Sequence, residues 1–372
     1  MPVIATIRDA ASDLRIAITP AVAAQLVQAG NEVVVQKGAG VAAGFDDDAF
    51  AAAGAQVASA AVAVARADVL VAVGRPSPDV LAALKAGQHL VAELDAAANA
   101  DALERAAAKG VVLIALEKVP RHGDRARAMD ALSSQASIAG YRSVIVAVEA
   151  YGRCFPTMTT AAGTAGPATV LVLGAGVAGL RAMATALMLG ASVTGYDVRR
   201  AAREDVTALG AQFLSTSVAG VGCGARALTP GEAAAQQGEL SKAVAGFDVV
   251  IAAARVPGGA PPLLVPAAAV RRMRRGSIIV DLAASDGGGN VEGSRDGERV
   301  VTDNGALVIG AGAIAAEMAP AASDAFARNV QAVLSALIVN GRVGVDPRDD
   351  VMGAMLIAVN RSTAATPWAP RG

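Results

Sequence analysis

The stretch Ala168-Thr-Val-Leu-Val-Leu-Gly174-Ala-Gly176-Val-Ala-Gly179 decides the fold, because an apolar run leads directly into three glycines with G-x-G-x-x-G spacing. Gly174 permits a tight turn, Gly176 leaves room for a pyrophosphate near the backbone, and Gly179 lets the next helix lie close to its strand. The start of that helix then faces the phosphates. The pattern predicts a dinucleotide site, and the candidate phosphate-binding backbone is that of Gly174, Gly176, Val177, Ala178 and Gly179.

An acidic residue follows at the spacing that this motif requires, roughly 20 residues further on. The next predicted strand, residues 192–196, ends at Asp197. Its carboxylate is placed to accept hydrogen bonds from an adenosine ribose and to repel a 2′-phosphate, so NAD is favoured over NADP. Arg199 and Arg200 are interpreted as an exposed face or as a clamp on the adenine, with the carboxylate deciding the selectivity. The candidate residues on the adenosine side are Asp197, Val198 and Arg199.

Length and composition narrow the class of protein. A chain of 372 residues predicts two domains, each large enough to bury its own core. The formal net charge of −1 argues against a nucleic-acid-binding protein, which needs a basic surface. Hydrophobic residues make up 54% of the chain, yet its longest stretch without charges, 154–180, contains prolines and the motif glycines. No membrane-spanning helix is therefore predicted.

The N-terminus and the cysteines indicate a cytoplasmic protein without a metal site. Residues 1–9 lack the basic start and the sustained apolar core of a signal peptide. Cys154 and Cys223 are isolated thiols without C-x-x-C spacing or a nearby cluster of histidines. We predict that both are small buried residues.

The N-terminal third of the chain alternates short apolar runs with capped helical segments, which is typical of a parallel sheet covered by helices on both faces. Strands are predicted at residues 3–7, 32–36, 69–73, 89–93 and 111–116. Helices are predicted to begin at Thr19-Pro20, Ser77-Pro78 and Asn99 and to end at Gly30, Gly87 and Gly110. This region has no glycine motif of its own.

Two long helical segments, residues 130–152 and 321–340, are predicted to connect the two halves of the molecule. Further strands at 248–253, 277–282 and 307–309 complete a sheet around the glycine motif. The predicted fold class is α/β, with two Rossmann-like, doubly wound parallel-sheet domains joined by long crossing helices. The nicotinamide is expected in a cleft between them. The expected domains are 1–128 with 335–372, and 129–334.

Further motifs are spread over nearly the whole chain. They are Leu14-Arg15-Ile-Ala-Ile-Thr-Pro20, Met129-Asp130-Ala-Leu-Ser133-Ser134-Gln135, Phe155-Pro-Thr-Met-Thr-Thr-Ala-Ala-Gly163, Pro257-Gly258 and Asp281-Leu-Ala-Ala. Together with the glycine motif they resemble the NAD(H)-binding domain of proton-translocating nicotinamide nucleotide transhydrogenase and the related alanine dehydrogenases. The resemblance implies NAD(H) on this chain, NADP(H) on a partner domain, a homodimer, and membrane-embedded partner subunits that hold the chain at the inner face of the cell membrane.

Two activities within this resemblance differ in the chemistry they need. Oxidation of an amino acid requires a general base and a cationic clamp for the carboxylate, and alanine dehydrogenases supply a Lys and a His. Here Gly74 and Glu93 stand at those positions, and only Arg15 matches. His89 and His122 lie elsewhere and are interpreted as structural or exposed. Hydride transfer between two nicotinamides needs placement and exclusion of water, so a transhydrogenase subunit is favoured.

The resemblance also implies a loop that holds the dihydronicotinamide. Arg121, Asp130 and Ser133 match its Arg, Asp and Ser positions, and Arg127 stands where the family has Gln. On this interpretation Arg121 donates to the carboxamide or a phosphate, Asp130 fixes the arginine, and Ser133 accepts from the carboxamide nitrogen. The alternative interpretation is a surface ion pair followed by a residue that starts a helix.

Other positions partly follow the family pattern. Gln236 matches a Gln on the adenosine side, and Arg255 replaces a Leu beside Pro257-Gly258, so both are candidate cofactor-binding residues. The mobile loop at 219–225 lacks the family's Tyr, and residues 308–314 replace a His-Thr-Asn-Val-Pro run. Three functions remain open: hydride transfer from NADH to NADP⁺ coupled to proton translocation, a non-catalytic NAD-binding or regulatory subunit, and an amino-acid dehydrogenase.

Overall fold

The structure is a computed structural model, and it describes residues 1–8, 13–217, 229–256, 259–285 and 287–357. The mobile-loop positions, Cys223 and Pro257-Gly258 lie outside these residues. The chain divides into two compact units. The first unit comprises residues 1–135 and 316–372, and the second comprises residues 136–315.

The boundaries between the units differ from the predicted ones. The first, expected at 128/129, falls inside the long helix Ala131–Ala150. The second, expected at 334/335, lies just before the long helix Ala319–Leu337. That helix belongs to the first unit because its apolar face, including the fully buried Phe326, packs into the core of this unit.

The first unit contains a six-stranded sheet in which all pairs are parallel. Its strands in chain order are β1 (Val3–Thr6), β2 (Glu32–Gln36), β3 (Gln56–Ala58), β4 (Val69–Val71), β5 (His89–Ala92) and β6 (Val112–Ala115). They lie side by side in the order β3-β2-β1-β4-β5-β6. Every strand predicted in this region is present, and the short edge strand β3 is an addition.

Helices cover this sheet and follow the predicted starts. They are α1 (Pro20–Gln28), α2 (Asp47–Ala52), α3 (Ala60–Arg66), α4 (Pro78–Ala83), α5 (Ala100–Ala108) and α6 (Asp124–Met129), followed by α7 (Ala131–Ala150), which continues into the second unit. Helix α4 ends before the predicted Gly87, because Leu84 adopts an extended backbone and is buried. The side chain of Gln88 then accepts a hydrogen bond from the Lys85 N–H.

The second unit contains a seven-stranded sheet and a separate hairpin, β7 (Met158–Thr160) with β8 (Gly163–Ala165). The sheet strands are β9 (Thr169–Leu173), β10 (Ser192–Tyr196), β11 (Gln212–Phe213), β12 (Val249–Ala252), β13 (Ile278–Asp281), β14 (Arg299–Val301) and β15 (Leu307–Gly310). Their order is β11-β10-β9-β12-β13-β15-β14, with β14 antiparallel. Apart from β14, the order repeats that of the first unit, so the predicted pair of Rossmann-like sheets is confirmed.

The remaining elements complete the two units. In the second unit they are α8 (Val177–Met188), α9 (Ala202–Ala208), α10 (Pro230–Ala243) and α11 (Ala267–Val270). In the first unit they are α12 (Ala319–Leu337), a hairpin of β16 (Ile338–Val339) and β17 (Arg342–Val343), and α13 (Met352–Met355). Because β9 and β12 are neighbours while β10 lies on the other side of β9, the order of the second sheet reverses between β9 and β12. A ligand crevice is expected at such a reversal.

The prediction of a buried Cys154 is wrong, since this thiol is exposed. Its neighbours Tyr151 and Phe155 are the buried residues of this segment. Their rings meet edge to face with centroids 5.9 Å apart. The two aromatic side chains occupy the core position, which leaves Cys154 facing outward.

The two histidines differ in exposure, and this difference predicts a pH effect. His89 is 8% exposed, its Nδ1 has no hydrogen-bond partner among the described residues, and burial lowers its pKa. The unfolded chain therefore takes up a proton below pH about 6.5 that the folded chain resists. The free energy of unfolding should fall by up to about 1.4 kcal/mol per pH unit below that value. Urea denaturation of His89→Gln should show a smaller loss between pH 7.5 and pH 5.5, whereas exposed His122→Gln should match the parent.

Candidate functional site

The glycine turn joins β9 to α8 at the carboxyl end of the sheet. Gly174 has a φ of +102°, and a β-carbon there would lie 2.9 Å from the carbonyl carbon of Ala253. A β-carbon on Gly179 would overlap the carbonyl oxygen of Gly174. A β-carbon on Gly176 would meet no atom within 4 Å. The first and third glycines are thus required by the protein itself, whereas the second borders open space.

Helix α8 begins immediately after this open space. Gly176 occupies its N-cap position, and no side chain of the described residues caps the helix there. The first N–H groups of a helix have no partner within the helix and carry partial positive charge. The backbone of Val177 and Ala178 therefore presents a binding place for an anion beside Gly176.

Helix α7 holds the first turn of α8 from the other side. A β-carbon on Gly140 would overlap the carbonyl oxygen of Ala178, whose Cα would lie only 3.0 Å away. The Arg181 Nε donates to the Ser137 hydroxyl at 3.0 Å, which adds a polar contact between the same two helices. With Gly179 packed against the turn, the start of α8 is fixed on two sides.

Asp197 lies at the end of β10 and is 8% exposed. Its Oδ2 accepts from the Ala175 N–H at 2.8 Å, within the glycine turn, and its Oδ1 accepts from the Arg199 N–H at 2.8 Å. The Arg199 guanidinium donates to both carboxylate oxygens. Burial by itself raises the pKa of Asp197, but the bonds from Arg199 and Ala175 outweigh it and lower the pKa below its usual value. The carboxylate is therefore charged and anchors the glycine turn.

The placement of Arg199 differs from both interpretations of the sequence. Its guanidinium is 41% exposed, pairs with Asp197, and donates from Nη2 to the Ala175 carbonyl oxygen at 3.1 Å. It is thus neither a free surface charge nor a clamp held only by a ligand. Arg200 is exposed, and Val198 between them is half-buried.

Gln236 and Arg255 also have partners within the second unit. Gln236, buried in α10, donates to the Tyr196 hydroxyl at 3.0 Å and so supports the residue that precedes Asp197. Arg255 donates from Nη2 to the Leu282 carbonyl oxygen at 2.7 Å, which ties the residues after β12 to those after β13.

The loop predicted to hold the nicotinamide lies in the first unit. Asp130 accepts from both the N–H of Ser133 (2.9 Å) and its hydroxyl (2.6 Å), at the start of α7. Within the described residues Asp130 forms no bond to the exposed Arg121, so the prediction that it fixes this arginine is wrong. Arg127 pairs at 3.4 Å with Asp124, and both are exposed. The alternative interpretation, a surface ion pair and a helix-start residue, describes Arg127 and Asp130.

Arg15, the one residue that matches the alanine dehydrogenase site, is engaged inside the first unit. Asp13 receives hydrogen bonds from its Nε and Nη2, and Gln135 receives one from its Nη1 at 2.7 Å. Its charge is therefore balanced by a carboxylate of the same chain. In the described portion of the chain, no helix is long and apolar enough to cross a membrane. The same residues contain no cluster of three or more side chains suited to a metal ion.

The repeated sheet order and the glycine turn define a two-unit α/β protein of the Rossmann-like class. The family described as "Alanine dehydrogenase/PNT, C-terminal domain" matches residues 143–365, and its N-terminal domain matches residues 9–139. The chain belongs to the alanine dehydrogenase/PNT family, so the resemblance seen in the sequence is confirmed.

Similar proteins agree with this assignment. The chain is 37% identical to an NAD(P) transhydrogenase subunit alpha chain of Rickettsia prowazekii, over 96% of this chain and 94% of the relative. It is 39% identical to the NAD(P) transhydrogenase subunit alpha of Cereibacter sphaeroides over 91% of its length, but spans only 66% of that relative. A transhydrogenase structure from Sinorhizobium meliloti matches with a TM-score of 0.84 and 35% identity, over 95% and 97% of the two chains. An L-alanine dehydrogenase structure matches at 0.74 and 28% identity, over 90% and 89%. The predicted class of enzyme, an oxidoreductase subunit, is confirmed.

Proposed function

We propose that the chain is the NAD(H)-binding subunit of an NAD(P) transhydrogenase, in which NADH gives a hydride to NADP⁺ held by a partner domain. The observation that carries this proposal is the glycine turn, because open space beside Gly176 meets the uncapped start of α8, and Asp197 anchors the turn from below. This arrangement fits a diphosphate, which needs backbone N–H donors and no intervening side chain. The names of the similar transhydrogenase subunits support the same function.

The residues of this chain bind and orient rather than exchange protons. The hydride leaves one nicotinamide with its electron pair and joins the other, so no side chain has to accept a proton. The phosphates are assigned to the backbone at Gly176, Val177 and Ala178, and the adenosine ribose to the side of Asp197. Arg121 and Arg127 are exposed and are proposed to approach the nicotinamide end.

An amino-acid dehydrogenase is less consistent with the first unit. That reaction needs a cationic clamp and a base, whereas Arg15 is already bound to Asp13, and Gly74 and Glu93 replace the Lys and the His. The bonds from Asp130 to Ser133 favour a second candidate, a subunit that binds NAD without catalysis. The proposed assembly is a homodimer with NADP(H)-binding and membrane-embedded partners, and the proposed location is the inner face of the membrane.

Reconstitution separates these candidates. We expect the purified chain, mixed with the NADP(H)-binding domain of a related transhydrogenase, to transfer hydride from NADPH to an NAD analogue, with neither protein active alone. Tight NADH binding without any transfer would support the non-catalytic subunit. Formation of NADH from L-alanine by the chain alone would contradict the proposal.

A further inference from the structure

Asn290 is a fully buried side chain in the second unit that neither the motifs nor the family resemblance singles out. Its Oδ1 accepts from the Ala254 N–H at 2.9 Å, and its Nδ2 donates to the carbonyl oxygens of Ala254 (2.9 Å) and Pro262 (2.8 Å). Its own carbonyl oxygen accepts from the N–H groups of Leu264 and Val265, both at 2.9 Å. One residue thus holds both ends of the segment that follows β12. We call residues 254–256 and 259–262 the β12 loop.

The β12 loop begins beside the glycine turn. Strand β12 is the neighbour of β9 at the point where the strand order reverses. A β-carbon on Gly174 would lie 2.9 Å from the Ala253 carbonyl carbon and 3.0 Å from the Ala254 nitrogen. The nitrogen held by Asn290 is therefore in close contact with the turn that is proposed to bind the pyrophosphate.

Asp281 fixes the segment that carries Asn290. This carboxylate is fully buried and accepts from the N–H groups of Ala283 (2.9 Å) and Val291 (3.0 Å) and from the Ser294 hydroxyl. A β-carbon on Gly289 would overlap the carboxylate of Asp281. Asn290 consequently stands on a rigid base at the end of β13, so its amide can transmit that rigidity to the β12 loop.

We infer that Asn290 is a positioning residue for the dinucleotide: by holding the β12 loop against the glycine turn, it sets the affinity of the chain for NADH. The inference rests on the proposed function. Only a side-chain amide offers one acceptor and two donors in the arrangement that Ala254 and Pro262 require. An aspartate at this position would direct a buried carboxylate at two carbonyl oxygens.

Asn290→Asp can be compared with a matched variant of the same unit. Asn304 also donates from Nδ2 to two backbone carbonyl oxygens, those of Val270 (2.9 Å) and Met273 (3.0 Å), in the turn that leads into β15. We expect both Asn→Asp variants to unfold at lower urea concentration. Asn290→Asp alone should raise the Kd for NADH, by about tenfold or more, because only this amide bonds to the β12 loop.

Two results would overturn the inference. One is an NADH Kd for Asn290→Asp within about twofold of the parent value. The other is an equal loss of affinity in Asn304→Asp, because a general loss of stability would then explain both variants.

Hydrogen exchange supplies a readout that does not depend on cofactor binding. In Asn290→Ser, which avoids a buried charge, we expect faster exchange at the N–H of Ala254 than in the parent, with little change at strand β9. Unchanged exchange at Ala254 would contradict the positioning role even if Asn290→Asp did not fold. If the parent failed to bind NADH, the proposed function would fail, whereas exchange at Ala254 would still decide whether Asn290 holds the loop.

Discussion

Gly176→Ala is expected to weaken NADH binding by about 100-fold while leaving the stability of the chain unchanged. Gly176 has a φ of −79° and a ψ of −170°, a backbone conformation that alanine adopts without strain. An added methyl group would meet no protein atom within 4 Å. It would occupy the open space at the start of α8 that the proposal assigns to the pyrophosphate. Isothermal titration with NADH and urea denaturation measure the two effects separately.

Two other glycines are the controls for this prediction. A methyl group on Gly179 would overlap the Gly174 carbonyl oxygen, so Gly179→Ala should lower the free energy of unfolding by about 3 kcal/mol and weaken binding as well. Gly238 lies exposed within α10 with no atom near its added β-carbon, so Gly238→Ala should leave binding unchanged and stability equal or higher. Parent-like NADH affinity in Gly176→Ala would contradict the placement of the pyrophosphate.

Asp197→Asn is expected to reduce the preference for NADH over NADPH from about tenfold or more to near parity. The carboxylate accepts from the Ala175 N–H and balances the charge of Arg199. Asparagine removes the negative charge that repels a 2′-phosphate and leaves the half-buried guanidinium without its counter-charge. We also expect a loss of about 2 kcal/mol in the free energy of unfolding, because an amide cannot accept all four of these hydrogen bonds.

Parallel titrations of parent and variant with both dinucleotides measure this shift. Arg199→Ala is the companion variant, since it frees the carboxylate and should strengthen discrimination against NADPH. An unchanged ratio of the two affinities in Asp197→Asn would show that the carboxylate does not choose the cofactor. A loss of stability alone would then be its whole effect.

The buried strands of both sheets were predictable from the sequence, whereas the exposed elements were not. Strands such as β9 and β12 are continuous apolar runs because helices cover both faces of the sheet. Strand β14 and the β7–β8 hairpin are exposed along their whole length, so no buried face imposes an apolar pattern on them. Cys154 shows the same limit, because its exposure depends on Tyr151 and Phe155 taking the core position.

At the candidate site, backbone requirements could be predicted and side-chain partners mostly could not. Gly174 and Gly179 are specified by local geometry, which the spacing of the motif records. The pairing of Arg199 with Asp197 depends on a side-chain conformation that no spacing encodes. The bond between Asp130 and Ser133 had a readable signal, since an Asp three residues before a Ser at a helix start is a common cap.

Titration of the unmodified chain with NADH and then NADPH tests most directly whether the glycine turn and Asp197 form an NAD(H) site. We predict saturable NADH binding, with NADPH weaker by about tenfold or more. Equal or tighter binding of NADPH, or no binding of either dinucleotide, would contradict this account.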